Sequence, residues 1–172
     1  MDYIIAFDAP AEKIYQDFTS RHYWDSLMDA YGWLTPQSEI THFRSDETGT
    51  DIAFRQNLPR MYLPPVARAV MPVDMIITRE QHFDPFDADG NSATGSYRAS
   101  VPHGPGHFGG RYHLTETGDS EAGDKSRLRL ASVCKVHIPF IGGTLEQLIL
   151  SNITMLFDAE EAFMADWIAK HH

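Results

Sequence analysis

Arg79, Tyr97, Tyr112 and Glu160 are the residues whose types suit proton transfer or the orientation of a polar ligand atom. A general acid or base must sit within hydrogen-bond reach of the group it serves, and the sequence pairs none of the four with a recognisable partner. Metal chemistry is not indicated. His103 and His107 have four-residue spacing, but Gly104, Pro105 and Gly106 between them forbid the helix that would turn both to one face. His82, His113 and His137 fall on predicted strands as surface residues, and His171 and His172 end the chain with no structural role expected. Cys134 alternates with Leu130, Ser132 and Val136, which reads as a small apolar filler rather than a nucleophile. No Gly-x-Ser-x-Gly elbow is present. Gly104, Gly106, Gly109 and Gly110 do not open a helix after a strand, so a phosphate or dinucleotide loop is not indicated either. No cofactor is expected.

The whole-chain balance narrows the partners. A length of 172 residues suits one domain, residues 1–172, with enough chain to bury a sizeable core. A net charge of -10 argues against nucleic acid, whose phosphates need a basic face, and against anionic lipid headgroups. The lone cysteine forms no internal disulfide, and the first residues lack the basic stretch and apolar segment of a signal peptide. No uncharged apolar run approaches the ~20 residues of a membrane span, so no integral membrane contact is expected. These features point to a soluble, cytoplasmic protein.

The elements that position the candidate residues are legible in order. Tyr3, Ile5 and Phe7 alternate with their neighbours as a short strand. Pro10, at the first helical position, opens a helix with Ile14, Tyr15 and Phe18 on one face. A second short helix covers residues 23–31 and ends at Gly32. Strands at 39–46 and 50–58 flank a hairpin turn. A crossing with four prolines, residues 59–72, interrupts the pattern, with a helical turn or two at 66–70. Strands follow at 73–83, 93–101, 108–115 and 127–138, separated by turns rich in Gly, Pro and Asp.

Thr144 and Gln147 have the spacing of a capping box. They open a helix of about 25 residues, roughly 38 Å long, with Leu145, Ile149, Asn152, Leu156, Phe163 and Trp167 on one stripe. Asp158, Glu161 and Lys170 take the opposite side. Period-two alternation turns Phe54, Leu58, Met75, Ile77, Tyr97, Tyr112, Leu114, Leu128, Leu130, Ser132, Cys134 and Val136 to one sheet face. Arg79 and Gln81 share it, so these polar groups are satisfied by neighbours or orient a ligand's polar end.

This order of elements resembles the helix-grip fold of the START-like superfamily, also called SRPBCC or the birch-pollen-allergen fold. Four stretches are similar to an actinobacterial domain family of unknown function within it. They are Tyr23-Trp24, Gln56-Asn57-Leu58-Pro59 with Leu63-Pro64, Gly104-Pro105-Gly106, and the junction running from Ile138 to Glu146, residues 138–146. The resemblance implies an α+β fold: a curved antiparallel sheet of about seven strands, two short helices after the first strand, and a long C-terminal helix across the sheet. It also implies a cavity between helix and sheet, of ~300 Å³ or more if it is ligand-sized.

The expected function is non-enzymatic binding of a small hydrophobic, lipid- or polyketide-like molecule there. Phe54, Leu58, Met75, Ile77, Arg79, Tyr97 and Tyr112 line the sheet side, with Leu130 and Cys134 on the last strand. Ile149, Asn152 and Leu156 line the helix side, and Met61, Tyr62 and Leu63 either close the mouth or belong to a rigid connection that simply packs. The alternatives are a cyclase- or dehydratase-type enzyme in the same cavity, or a protein-interaction module using the outer surface. No catalytic residue and no protein partner is assigned.

Overall fold

A computed structural model describes residues 1–33, 35–70, 72–102, 104, 106–117, 125–140 and 142–172, with the backbone alone at 33, 66, 67, 70, 148, 151, 152 and 155. His103, Pro105 and the Asn152 side chain therefore lie outside the described residues. The order is β1 (Asp2–Phe7), α1 (Ala11–Phe18), α2 (Arg21–Ala30), β2 (Gln37–Asp46), β3 (Gly49–Leu58), α3 (Pro65–Val70), β4 (Met75–Phe83), β5 (Ser92–Ser100), β6 (Gly106–Glu116), β7 (Ser126–Val136) and α4 (Gly142–His171). The strands form one antiparallel sheet in the order β1-β7-β6-β5-β4-β3-β2. The expected helix-grip architecture is the one observed.

Alternation sets the inner face. Ile5 and Phe7 on β1, Ile52 and Phe54 on β3, Tyr112 and Leu114 on β6, and Leu128 and Leu130 on β7 are all buried. Helices α1 and α2 seal this end with aromatic rings. Phe18 stacks on Phe83 at 5.0 Å, Phe83 on Tyr112 at 5.0 Å, and Trp24 on Phe54 at 6.2 Å. The Trp24 indole donates to the Phe18 carbonyl at 2.8 Å, which ties α2 to the end of α1.

Several boundaries differ from the sequence reading. Pro10 is the N-cap of α1 rather than its first residue, and the Glu116 carboxylate accepts from the free Ala11 N–H at 2.8 Å. Helix α4 has 30 residues and begins at Gly142, so Thr144 lies inside its first turn and forms no capping box with Gln147. Glu146 instead accepts from the Val136 N–H at 2.9 Å, joining the helix to the strand before it. Glu161 is half-buried rather than solvated, because the Tyr3 hydroxyl reaches both Asp158 and Glu161, the latter at 2.9 Å. The terminal histidines do make contacts: His171 stacks on Trp167 at 3.9 Å and His172 meets Asp17 at 2.9 Å. Gly49 opens β3 at φ +124, where an added Cβ would stand 2.3 Å from the Phe83 carbonyl oxygen.

Candidate functional site

Strand β4 and helix α4 bring the polar candidates together across the interior. Residues two apart on a strand share a face, so β4 turns Arg79 and Gln81 inward between Ile77 and Phe83. On α4 the steps 149, 153, 156, 160, 164 and 167 follow the helical repeat, which puts Glu160 in the apolar stripe. The Arg79 Nη1 donates to Glu160 at 2.6 Å, and each side chain is only 12% exposed. The Tyr112 hydroxyl accepts from Arg79 Nη2 at 3.1 Å and donates to Gln81 Oε1. The guanidinium lies 5.3 Å from the Phe54 ring centre and 5.5 Å from that of Tyr97. Next to this cluster the Tyr97 and Ser132 hydroxyls are 2.5 Å apart.

Burial shapes the protonation states. It pushes the Tyr112 hydroxyl well above its ordinary range, and Arg79 only partly offsets this, so Tyr112 is a neutral donor. Burial likewise raises Tyr23 and Tyr31, with the negative charge of Glu160 adding to both. Burial works against the Arg79 charge, but Glu160 and Tyr112 together hold it protonated. The Cys134 thiol is raised by burial and then by Glu146, which agrees with an inert filler.

Two donors are left over. Arg79 Nε and Gln81 Nε2 are buried and have no partner among the described residues. A buried unpaired donor costs about 1–3 kcal/mol. Both residues line a cavity of about 20 Å³ together with Tyr23, Trp24, Tyr112 and Glu160. That is the room of roughly one water, far below the ~300 Å³ of a ligand-sized space. The expectation of a large cavity fails at this end, because the rings of α1 and α2 fill it.

The opposite end of the inner face differs. Leu58, Met75 and Ile77 point inward by strand parity yet are only half-buried, as are Phe108 and Val136. On α4, Ile149, Ile153 and Leu156 are half-buried too, and Ile153 and Leu156 pack against the buried core. Of the residues proposed from sequence, Phe54, Tyr97, Tyr112, Leu130 and Cys134 are buried. Phe54 sits under Trp24 and Arg79, and Leu130 lines the small cavity. The Leu156 carbonyl accepts from the Tyr31 hydroxyl at 3.2 Å. On the proline-rich crossing Leu63 is buried, whereas Met61 and Tyr62 are 73% and 51% exposed.

Sequence reasoning missed the Arg79–Glu160 pairing and the contributions of Tyr23, Trp24 and Leu27 from α2. A signal for the first existed: a glutamate in phase with an apolar helix stripe needs a cation, and Arg79 stands on the facing strand. Among the described residues no group of three or more His, Cys, Asp and Glu is placed to hold a metal ion. No described helix is long and apolar enough to cross a membrane.

Comparisons with known proteins agree with this architecture. The chain is similar to norcoclaurine synthase from Thalictrum flavum, with a TM-score of 0.58 at 14% identity over 99% of this chain and 86% of that one. It is similar to the Zhui aromatase/cyclase from Streptomyces sp. R1128, with a TM-score of 0.53 at 12% identity over 96% and 90% of the two chains. A START superfamily protein from Mycobacterium smegmatis aligns with a TM-score of 0.50 at 13% identity over 98% and 97%. These likenesses establish the START-like fold and no activity. In sequence, an uncharacterized protein of Mycobacterium tuberculosis is 26% identical over 168 residues, covering 96% of this chain and 94% of the relative. The model of the protein family of unknown function DUF2505 matches residues 2–168, so the chain belongs to that family.

Proposed function

We infer that this protein binds an apolar or amphipathic small molecule, of lipid- or polyketide-like character, between its sheet and α4 without transforming it. The observation that carries this reading is the asymmetry of the inner face. Aromatic rings seal one end, whereas Leu58, Met75 and Ile77 on the sheet, and Ile149, Ile153 and Leu156 on the apolar stripe of α4, remain half-buried. Apolar walls with a few placed polar groups suit such ligands. Covering about 300 Å² of ligand surface yields about 7 kcal/mol gross at about 25 cal/mol per Å², before association costs. With a few hydrogen bonds, micromolar binding is within reach.

An enzyme of the cyclase type is the second reading, and one observation favours it: Glu160 faces the interior beside hydrogen-bonded partners. The same geometry also weighs against it. Arg79 holds Glu160 through Oε1, and the Tyr112 proton is already committed to Gln81, so both groups are engaged within the protein. The test is organic extraction of the purified protein followed by mass spectrometry, with the refolded protein titrated by the extracted compound. An extract near one molecule per chain, lost in Ile153→Trp, supports binding. An empty extract, with no uptake of apolar probes by the refolded protein, refutes it.

A further inference from the structure

We propose that the buried end of this interior selects an uncharged carbonyl oxygen, such as that of a ketone, quinone or ester, and rejects carboxylates; this rests on the ligand-binding reading above. The orphaned donors Arg79 Nε and Gln81 Nε2 both belong to side chains that line the small cavity. Gln81 is only 4% exposed, so water outside the protein does not serve its amide. Its orientation follows from the network: Oε1 takes the Tyr112 proton, which leaves the NH₂ group as the donor. A carbonyl oxygen carries two lone pairs, one for each donor, and the cavity has room for about one such atom. The rest of the molecule would extend past Arg79 toward Ile77, its same-face neighbour on β4.

Charge makes the choice between oxygens. Arg79 is already neutralised by Glu160 at 2.6 Å, so the pair offers donors without net positive charge. A ligand carboxylate would add a second anion beside Glu160 where water is excluded, and like charges at such a site oppose each other strongly. A neutral carbonyl meets the same donors without that repulsion. Fatty acids and other carboxylates are therefore excluded from this end.

The experiment uses three probes of matched shape on the full chain: 2-acetylnaphthalene, 2-naphthoate and 2-ethylnaphthalene, in equilibrium dialysis. The ketone is expected to bind at least about tenfold more tightly than the carboxylate and more tightly than the hydrocarbon. In Gln81→Leu the ketone should fall to the level of the hydrocarbon. In Glu160→Gln, with Arg79 uncompensated, naphthoate should gain. A readout on the unaltered protein covers variants that fail to fold: the infrared carbonyl stretch of the bound ketone should move to lower frequency than in hexane. Equal binding of ketone and hydrocarbon, a preference for naphthoate, or an unshifted stretch overturns the selection of a carbonyl while leaving apolar binding standing. Binding of none of the three overturns both.

Discussion

Replacing Arg79 with methionine removes one partner of a buried ion pair and leaves Glu160 charged within an apolar helix stripe. Both side chains are 12% exposed and their charged atoms are 2.6 Å apart, so solvent screens the pair weakly. Breaking a buried pair from one side costs about 3–5 kcal/mol, because the remaining charge is left uncompensated. Arg79→Met also removes the donor to Tyr112 and the cation over Phe54, which places it toward the upper end. Glu160→Leu belongs toward the lower end. Removing both charges together is a different case, since well-packed apolar replacements of a buried pair are often neutral or better. The double variant is therefore expected within about 1–2 kcal/mol of the parent, with a coupling energy of about 4 kcal/mol or more. Urea unfolding followed by circular dichroism and tryptophan fluorescence reads this directly. At a slope of about 2 kcal/mol per M, each single variant shifts the midpoint by about 1.5–2.5 M. Single costs below about 1 kcal/mol that simply add in the double variant would show that the pair is solvated and would refute the reasoning.

Other expectations follow from packing, backbone and titration. Phe54→Ala, at a fully buried ring between Trp24 and Arg79, should cost about 3–5 kcal/mol in the same urea assay. Gly49→Ala should lower the melting temperature, because the site has φ +124 and the new Cβ would meet the Phe83 carbonyl oxygen. Gly143→Ala, on α4 with nothing within 4 Å of an added Cβ, should instead leave stability unchanged or raise it by about 0.5 kcal/mol. Burial raises Tyr3, Tyr15, Tyr23, Tyr31, Tyr97 and Tyr112 above their ordinary range. Their folded pKa values exceed the unfolded value of about 10, so their contribution to stability is complete below that pH and is lost as pH rises through the folded values. Tyrosinate absorbance at 295 nm should thus lag and then rise together with loss of circular dichroism. A gradual rise near pH 10 without unfolding would contradict this.

The strands were legible because a sheet with one covered face forces apolar residues to every second position. Ile52, Phe54 and Leu58, or Leu128 and Leu130, announce their inner face without any partner in view. The same rule turned Arg79 and Gln81 inward, which composition alone would have put on the surface. Long-range register was not legible. Arg79 and Glu160 meet only because α4 crosses β4 at one particular height, and that depends on where the helix starts. Thr144 and Gln147 have capping-box spacing, yet the helix begins two residues before Thr144. The filling of the closed end was also hidden. Phe18 reads as part of an ordinary helix face, and only the stacking of Phe18 and Trp24 against Phe83 and Phe54 shows how little space they leave. Met61 and Tyr62 illustrate the converse: apolar residues on a proline-rich crossing carry no periodicity that would tell inside from outside.

The central claim is that the half-buried inner face near the start of α4 receives an apolar molecule. Methyl-labelled protein titrated with 2-acetylnaphthalene tests it most directly by NMR. The account predicts saturable shifts at Met75, Ile77, Ile149, Ile153 and Leu156, with Ile4, Met61 and Val133 on the outside unmoved. Shifts confined to the outer residues, or none at any of these methyl groups, would contradict it.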